Sequence, residues 1–209
     1  SDNTLIAQEY TYPDATLANG LVLSNMLLNR IRTRTFKGTG QTSSLAYHYS
    51  GNTIWPVSVS RSFGEGPQTT LFTLDRYDER GNLLQSTDPN GISTTYLWGY
   101  GGTRLVAEIR NAAYQQVANV LGQARIDAMT DRITLSESDI AALEGLRSAA
   151  ALGDTQITTY THHPIFGVTS RTDPRGVRTS YLYDETGRIK EIADDAGNPV
   201  VAYDYKYRK

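Results

Sequence analysis

The sequence predicts a mainly β fold: an antiparallel meander of hairpins in one long curved sheet, with a short N-terminal helix and an inserted helical segment at about 111–153. Three observations carry that expectation. Tyrosine is abundant, 14 residues against 4 Phe and 2 Trp, and Tyr suits half-buried strands, its ring packed while its hydroxyl reaches water or a partner. The 18 glycines fall at turn positions such as Asp-x-x-Gly and Asp-Pro-x-Gly rather than in a flexible tract. In such turns Asp accepts local backbone N–H groups, Pro fixes φ and Gly tolerates φ > 0. Finally, STDPNGISTTYLWGYGGTRL from Ser86 and SRTDPRGVRTSYLYDETGRI from Ser170 repeat one pattern on either side of a stretch of different character.

Up to about Asn29, PDATLANGLVLSNMLLNR sets Leu17, Val22 (or Leu21), Met26 and Leu28 near helical spacing, with Gly20 as the weak point of the helix. From Arg30 to about Arg110 the pattern alternates and breaks at turns. RIRTRTFKG has strand composition, SLAYHYSGN runs into a turn, and IWPVSVSRSFGEG alternates up to a Gly-rich corner. TTLFTLDRYDERGNLLQSTDPNG then reads strand, turn, strand, turn. From Asn111 to Gly153 the character is helical. NAAYQQVANVLG has Asn111 in N-cap position, residues 124–129 make a second short helix, and SESDIAALEGLRSAALG opens on Ser136-x-x-Asp139, close to a capping box. From Thr155 the β texture returns. In the last segment Val201, Tyr203, Tyr205 and Tyr207 alternate with Ala202, Asp204 and Lys206, giving an aromatic and a polar strand face.

Offsets define the repeat. Thr87, Asp88, Pro89, Gly91, Thr94, Tyr96 and Leu97 recur as Thr172, Asp173, Pro174, Gly176, Thr179, Tyr181 and Leu182 at an offset of 85. Tyr77, Asp78, Glu79, Gly81 and Leu83 match Tyr183, Asp184, Glu185, Gly187 and Ile189 at an offset of 106, so the underlying period is 21. A catalytic site has no reason to recur at that interval, whereas a hairpin does; hairpins that are unstable alone pair into a sheet. One continuous sheet is therefore expected from Leu71 to Arg110 and from Thr155 to Tyr207. The helical insert should lie outside it and be removable.

Charge and composition narrow the function classes. Lys and Arg number 20 and Asp and Glu 22, a net charge of −2, which gives no footprint for nucleic acid. No cysteine is present, which removes disulfides and thiol-ligated metals. No apolar run is long enough to span a bilayer, so no membrane insertion is expected. The opening SDNTLIAQEY is polar and has no signal-peptide pattern; the chain reads as a single repeat domain cut from a larger protein.

YDERGNLLQSTDPNG and YDETGRIKEIADDAGN resemble the YD repeat of the Rhs/YD-repeat family, a Tyr-Asp-x-x-Gly-Arg-aliphatic unit of about this length. YLWGYGG…AEIRNA, the helices, and TTYTHHPIFGVTSRTDPRG are similar to the repeat region of large Rhs-type proteins of Bacteroidetes. The resemblance covers Leu71 to Asn111 and Thr155 to Lys209. It implies YD-type hairpins in a sheet that spirals, in complete members, into a hollow shell of a secreted or surface protein. The implied role is a non-enzymatic structural segment, and the implied partners are other repeats of the parent chain. Alternative readings add a cell-surface glycan, or an encapsulated C-terminal domain in a toxin shell.

Candidate sites are few. Some Rhs shells carry an Asp-Pro-x-Gly motif that marks self-cleavage; Asp88-Pro89-Asn90-Gly91 and Asp173-Pro174-Arg175-Gly176 match it but are followed by ordinary strands, so turns are expected. His162 and His163 are strand neighbours pointing to opposite faces, and His48 has no partner at metal-ligand spacing. GTGQTSS at Gly38 lacks the P-loop lysine, and DDAGN at Asp194 lacks the acidic spacing of a calcium loop. No catalytic residue, metal or cofactor is expected. The aromatic stripe of Tyr96, Trp98 and Tyr100, with Tyr181 and Tyr183, has two readings. It is a cross-strand ladder at about 0.2–1 kcal/mol per pair, or a carbohydrate platform whose binding residues are Trp98, Tyr96, Tyr181 and Tyr183.

Overall fold

The computed structural model describes residues 5–206. Tyr207, placed by the sequence at the end of the last strand, lies outside them. Thirteen strands hydrogen-bond in chain order in an open antiparallel sheet, β1 through β13. The chain divides into two compact units, residues 1–77 with 86–92 and residues 78–85 with 93–209.

The first unit is a meander of β1 (Ile6–Thr11), β2 (Arg32–Lys37), β3 (Gly40–His48), β4 (Ser58–Phe63) and β5 (Thr69–Tyr77). β1 corrects the sequence reading, which found only a helix before Asn29; it pairs with β2 from Ile6↔Lys37 to Thr11↔Arg32. The helix is also shorter than expected. α1 spans Asn19–Leu23, and Leu17, Met26 and Leu28 are exposed rather than on a packed helical face. Gly20 is there for space, since a Cβ on it would lie 2.1 Å from the Thr53 carbonyl oxygen. That close approach sets Leu21 beside Ala18 and Ile31 in a small core.

In the second unit β7 (Ser93–Gly99), β8 (Arg104–Arg110), β9 (Gln156–His163), β10 (Gly167–Thr172), β11 (Arg178–Tyr183), β12 (Ile189–Ala193) and β13 (Pro199–Ala202) pair in sequence. β6 (Leu83–Thr87) runs through the division between the units. β8 pairs directly with β9, Arg110 opposite Gln156, so the sheet resumes after the insert as the repeat period requires. The last strand ends at Ala202, short of the alternation read through Tyr207, so that Tyr203 and Tyr205 lie beyond it.

The insert holds α2 (Tyr114–Leu121), α3 (Gln123–Asp131), α4 (Glu137–Gly145) and two short 3₁₀ turns. Ser136 caps α4 as expected: its Oγ accepts from the Asp139 N–H, and an Asp139 carboxylate oxygen accepts from the Ser136 N–H at 3.0 Å. Asn111 does not cap α2. It sits at φ 66° and donates to the Asp154 carbonyl oxygen at 3.1 Å, closing the base of the insert. The capping residue is Ala113, whose N–H donates to Gln116 Oε1 at 2.8 Å.

The insert is not peripheral. Tyr114, Val117, Ala118, Ile126, Met129, Leu143, Leu146 and Leu152 form one buried cluster with Leu97, Val106, Ala107, Ile109 and Ile157 of the strands. Arg147 pins it down, donating to Glu144 at 2.8 Å and to the carbonyl oxygens of Ile157, Thr172 and Asp173 at 2.9, 3.1 and 3.2 Å. The insert therefore lies outside the sheet, as expected, but roofs one of its faces, and the shared core argues against the expectation that it can be removed.

Candidate functional site

Two repeated pieces of geometry account for most residues the sequence singles out. The first is a five-residue turn, present at Asp78, Asp88, Asp173, Asp184 and Asp194. In each, one Asp carboxylate oxygen accepts the N–H groups two and four residues on, at 2.8–3.0 Å. The Asp carbonyl accepts the N–H of the fourth residue, always Gly, at 2.9–3.1 Å. Those glycines have φ between 81° and 87°, a conformation costly for any residue with a Cβ. Asp-Pro-x-Gly and Asp-Glu-x-Gly are thus one turn with different second residues.

These carboxylates are fixed acceptors. Val177 N–H holds the Asp173 carboxyl below its usual pKa. Thr186 does so most strongly at Asp184, and Asn198 N–H at Asp194. An acid held in its ionised form has no proton to donate near neutral pH.

The second piece is an aromatic latch. Trp98 Nε1 donates to the Leu83 carbonyl oxygen at 2.8 Å, and Tyr183 Oη donates to the Val168 carbonyl oxygen at 2.7 Å. Donor and acceptor are both displaced by the repeat offset of 85, so the two repeats make the same bond. Tyr205 Oη reaches the Ile189 carbonyl at 2.8 Å. In the first unit Tyr77 Oη reaches that of Pro56 at 2.8 Å, its ring stacked on Trp55. Burial, with a lesser contribution from Tyr49, pushes the Tyr77 hydroxyl up to about 12.

The proposed platform residues divide into two pairs. On β7, Thr95, Leu97 and Gly99 are buried while Tyr96 and Trp98 are half-buried, so this pair faces away from the helical roof. Register carries that face across the sheet: Tyr96 opposes Glu108, Glu108 opposes Thr158, Tyr160 opposes Arg171, and Arg171 opposes Thr179. Tyr181 and Tyr183, two and four residues beyond Thr179, share it. Three strands separate β7 from β11, which at about 4.8 Å per step puts the pairs roughly 19 Å apart. Tyr100 leaves the stripe altogether. It turns at φ 55°, is buried, and its hydroxyl oxygen accepts the His162 N–H at 2.9 Å.

The histidines occupy separate surroundings. His162 Nε2 donates to the Leu105 carbonyl oxygen at 2.8 Å and its ring meets Tyr100 edge-on. Burial pulls its pKa down. His163 stacks on Phe166 at 4.4 Å, and His48 Nε2 lies 2.6 Å from Ser60 Oγ. Among the described residues no three of His, Asp and Glu gather as a metal site, and no helix is long and apolar enough to cross a membrane.

Sequence reasoning missed Arg147 and the latch acceptors. Arg147 carries no pattern, because its acceptors are main-chain carbonyls. The latch was within reach, since Trp98 and Tyr183 occupy equivalent repeat positions.

The RHS Repeat family model matches residues 77–115 and 167–199, stretches that contain all five turns and both offset-related latches. A search of curated proteins gave no significant match.

Proposed function

We propose, for a chain that belongs to the Rhs/YD-repeat family, a non-enzymatic structural role within a large secreted or cell-surface Rhs-type protein. The observation that supports it best is the latch bond repeated at an offset of 85. The polar atoms of Trp98 and Tyr183, two of the four candidate platform residues, are spent on main-chain carbonyls of the preceding strand. The turn carboxylates, likewise engaged, leave no free acid–base pair at Asp88 or Asp173. The family is typically extracellular or at the cell surface, and other repeats of the parent chain are the natural neighbours of such a segment.

A second reading keeps Tyr96 with Trp98, and Tyr181 with Tyr183, as two small sugar-stacking patches on the unroofed face. Their half-burial favours it; their separation means that each would take a separate sugar residue. The test is a glycan array with the purified chain, together with mass spectrometry after incubation at neutral pH. The structural role predicts no array signal and an intact chain. A glycan signal abolished by Trp98→Ala without loss of fold, or a cut within residues 83–92 or 168–177 that Asp88→Ala or Asp173→Ala prevents, would refute it.

A further inference from the structure

Three arginines follow one another at alternate positions into β2, and two of them have partners. The Arg30 guanidinium lies over the Tyr10 ring, 4.1 Å from its centroid, and Arg34 reaches the Glu9 carboxylate at 3.5 Å. Arg32 has neither arrangement among the described residues. Its Nε is buried without a hydrogen-bond partner.

Arg32 lines a cavity of about 120 Å³ in the first unit. The register explains the space. Thr11, Arg32, Ala46 and Ser60 stand opposite one another on β1 to β4, so the small Ala46 is the guanidinium's neighbour on β3. The 14–17 turn forms another wall, held by the Asp14 carboxylate, which accepts from Thr16 N–H, Thr16 Oγ1 and Leu17 N–H. Leu17, Ile31, Tyr47 and Tyr49 add apolar and aromatic surface, and no carboxylate lines the cavity. His48, the other nitrogen base present, is bonded through Nε2 to Ser60.

Arg32 as a whole is half-buried, but its Nε–H is buried, and a buried orphan N–H points to a missing acceptor. The guanidinium fork matches a planar carboxylate through paired N–H donors. The volume holds a handful of heavy atoms, and one fixed cation between apolar walls suits a monoanion on a short carbon stem. A phosphate dianion would call for more charge and a nest of backbone donors.

We propose that this cavity binds a small monocarboxylate through Arg32, with the Thr11 hydroxyl available to its remaining lone pairs. The experiment titrates the ¹⁵N-arginine-labelled chain with propionate, glucuronate, glucose and inorganic phosphate, following the Arg32 Nε–H resonance by NMR. Propionate or glucuronate should shift it saturably while glucose leaves it unmoved. Arg32→Gln, checked for fold by circular dichroism, should weaken carboxylate binding roughly tenfold or more. An Nε–H resonance that neither carboxylate moves, a response to phosphate alone, or undiminished binding by folded Arg32→Gln would overturn the proposal. If Arg32→Gln fails to fold, the wild-type titration decides the matter by itself.

Discussion

Joining Arg110 to Gln156 through a two-residue Asn-Gly turn would remove the whole helical insert. The two residues already face each other across β8 and β9, so the backbone can close as an ordinary hairpin. Packing opposes what geometry permits. The insert covers Leu97, Val106, Ile109 and Ile157, and uncovering a buried aliphatic side chain forfeits about 1.5–3 kcal/mol. Four of them amount to roughly 6–12 kcal/mol, as large as the whole stability of an ordinary domain at about 5–15 kcal/mol. Losing the Arg147 bonds to the carbonyls of Ile157, Thr172 and Asp173 adds to the cost. The deletion variant should lose cooperative melting, bind a hydrophobic dye and associate on size exclusion. A gentler version, Leu143→Ala, should cost about 2–5 kcal/mol in denaturant. A monomeric deletion variant with a β-type circular dichroism spectrum and a sharp transition would refute the view that the roof supplies this core.

Trp98→Phe and Tyr183→Phe each keep a ring and lose one latch hydrogen bond, so each should cost about 1 kcal/mol in chemical denaturation; Trp98→Ala, which also removes the ring, should cost more, and equal effects of Phe and Ala would count against the latch. Asp184→Asn should be better tolerated than Asp184→Ala in a thermal melt, because the amide oxygen can still accept the Thr186 and Arg188 N–H groups. The carboxyls of Asp173, Asp184 and Asp194 are held below their usual range by the turn donors, so their stabilisation is present above the unfolded value of about 3.9 and is lost as pH falls below it. His162, whose pKa burial lowers, is charged more readily in the unfolded chain. It should add an earlier loss of stability as pH falls below about 6.5, one that His162→Gln removes from the pH profile of the melting temperature.

The meander was legible because its information is local. An Asp that accepts two N–H groups and a Gly at positive φ define each turn within five residues, and alternation between turns leaves strand as the reading. β1 escaped because IAQEYT shows no buried face; its first four residues are exposed, and its stability comes from the pairing with β2. Asn111 misled for a related reason. Asn suits an N-cap and a left-handed turn equally, and only the Asp154 carbonyl, 43 residues away, selects the turn.

The candidate site was legible in its residue types but not in their use. A stripe of Tyr and Trp reads the same whether the polar atoms face solvent or a neighbouring carbonyl, because the acceptor is backbone and has no sequence identity. What the repeat does supply is a consistency condition. If Trp98 latches Leu83, the equivalent Tyr183 must latch Val168, and it does. A ligand platform imposes no such condition, since binding would not require the same main-chain acceptor at each copy. The bond's recurrence with different ring chemistry, an indole N–H in one repeat and a phenol O–H in the other, ties these positions to holding strands together. Arg32 obeys no repeat at all. Its register partners, Thr11 and Ala46, lie outside the matched repeats, so a ligand site there can vary without disturbing the hairpins that follow.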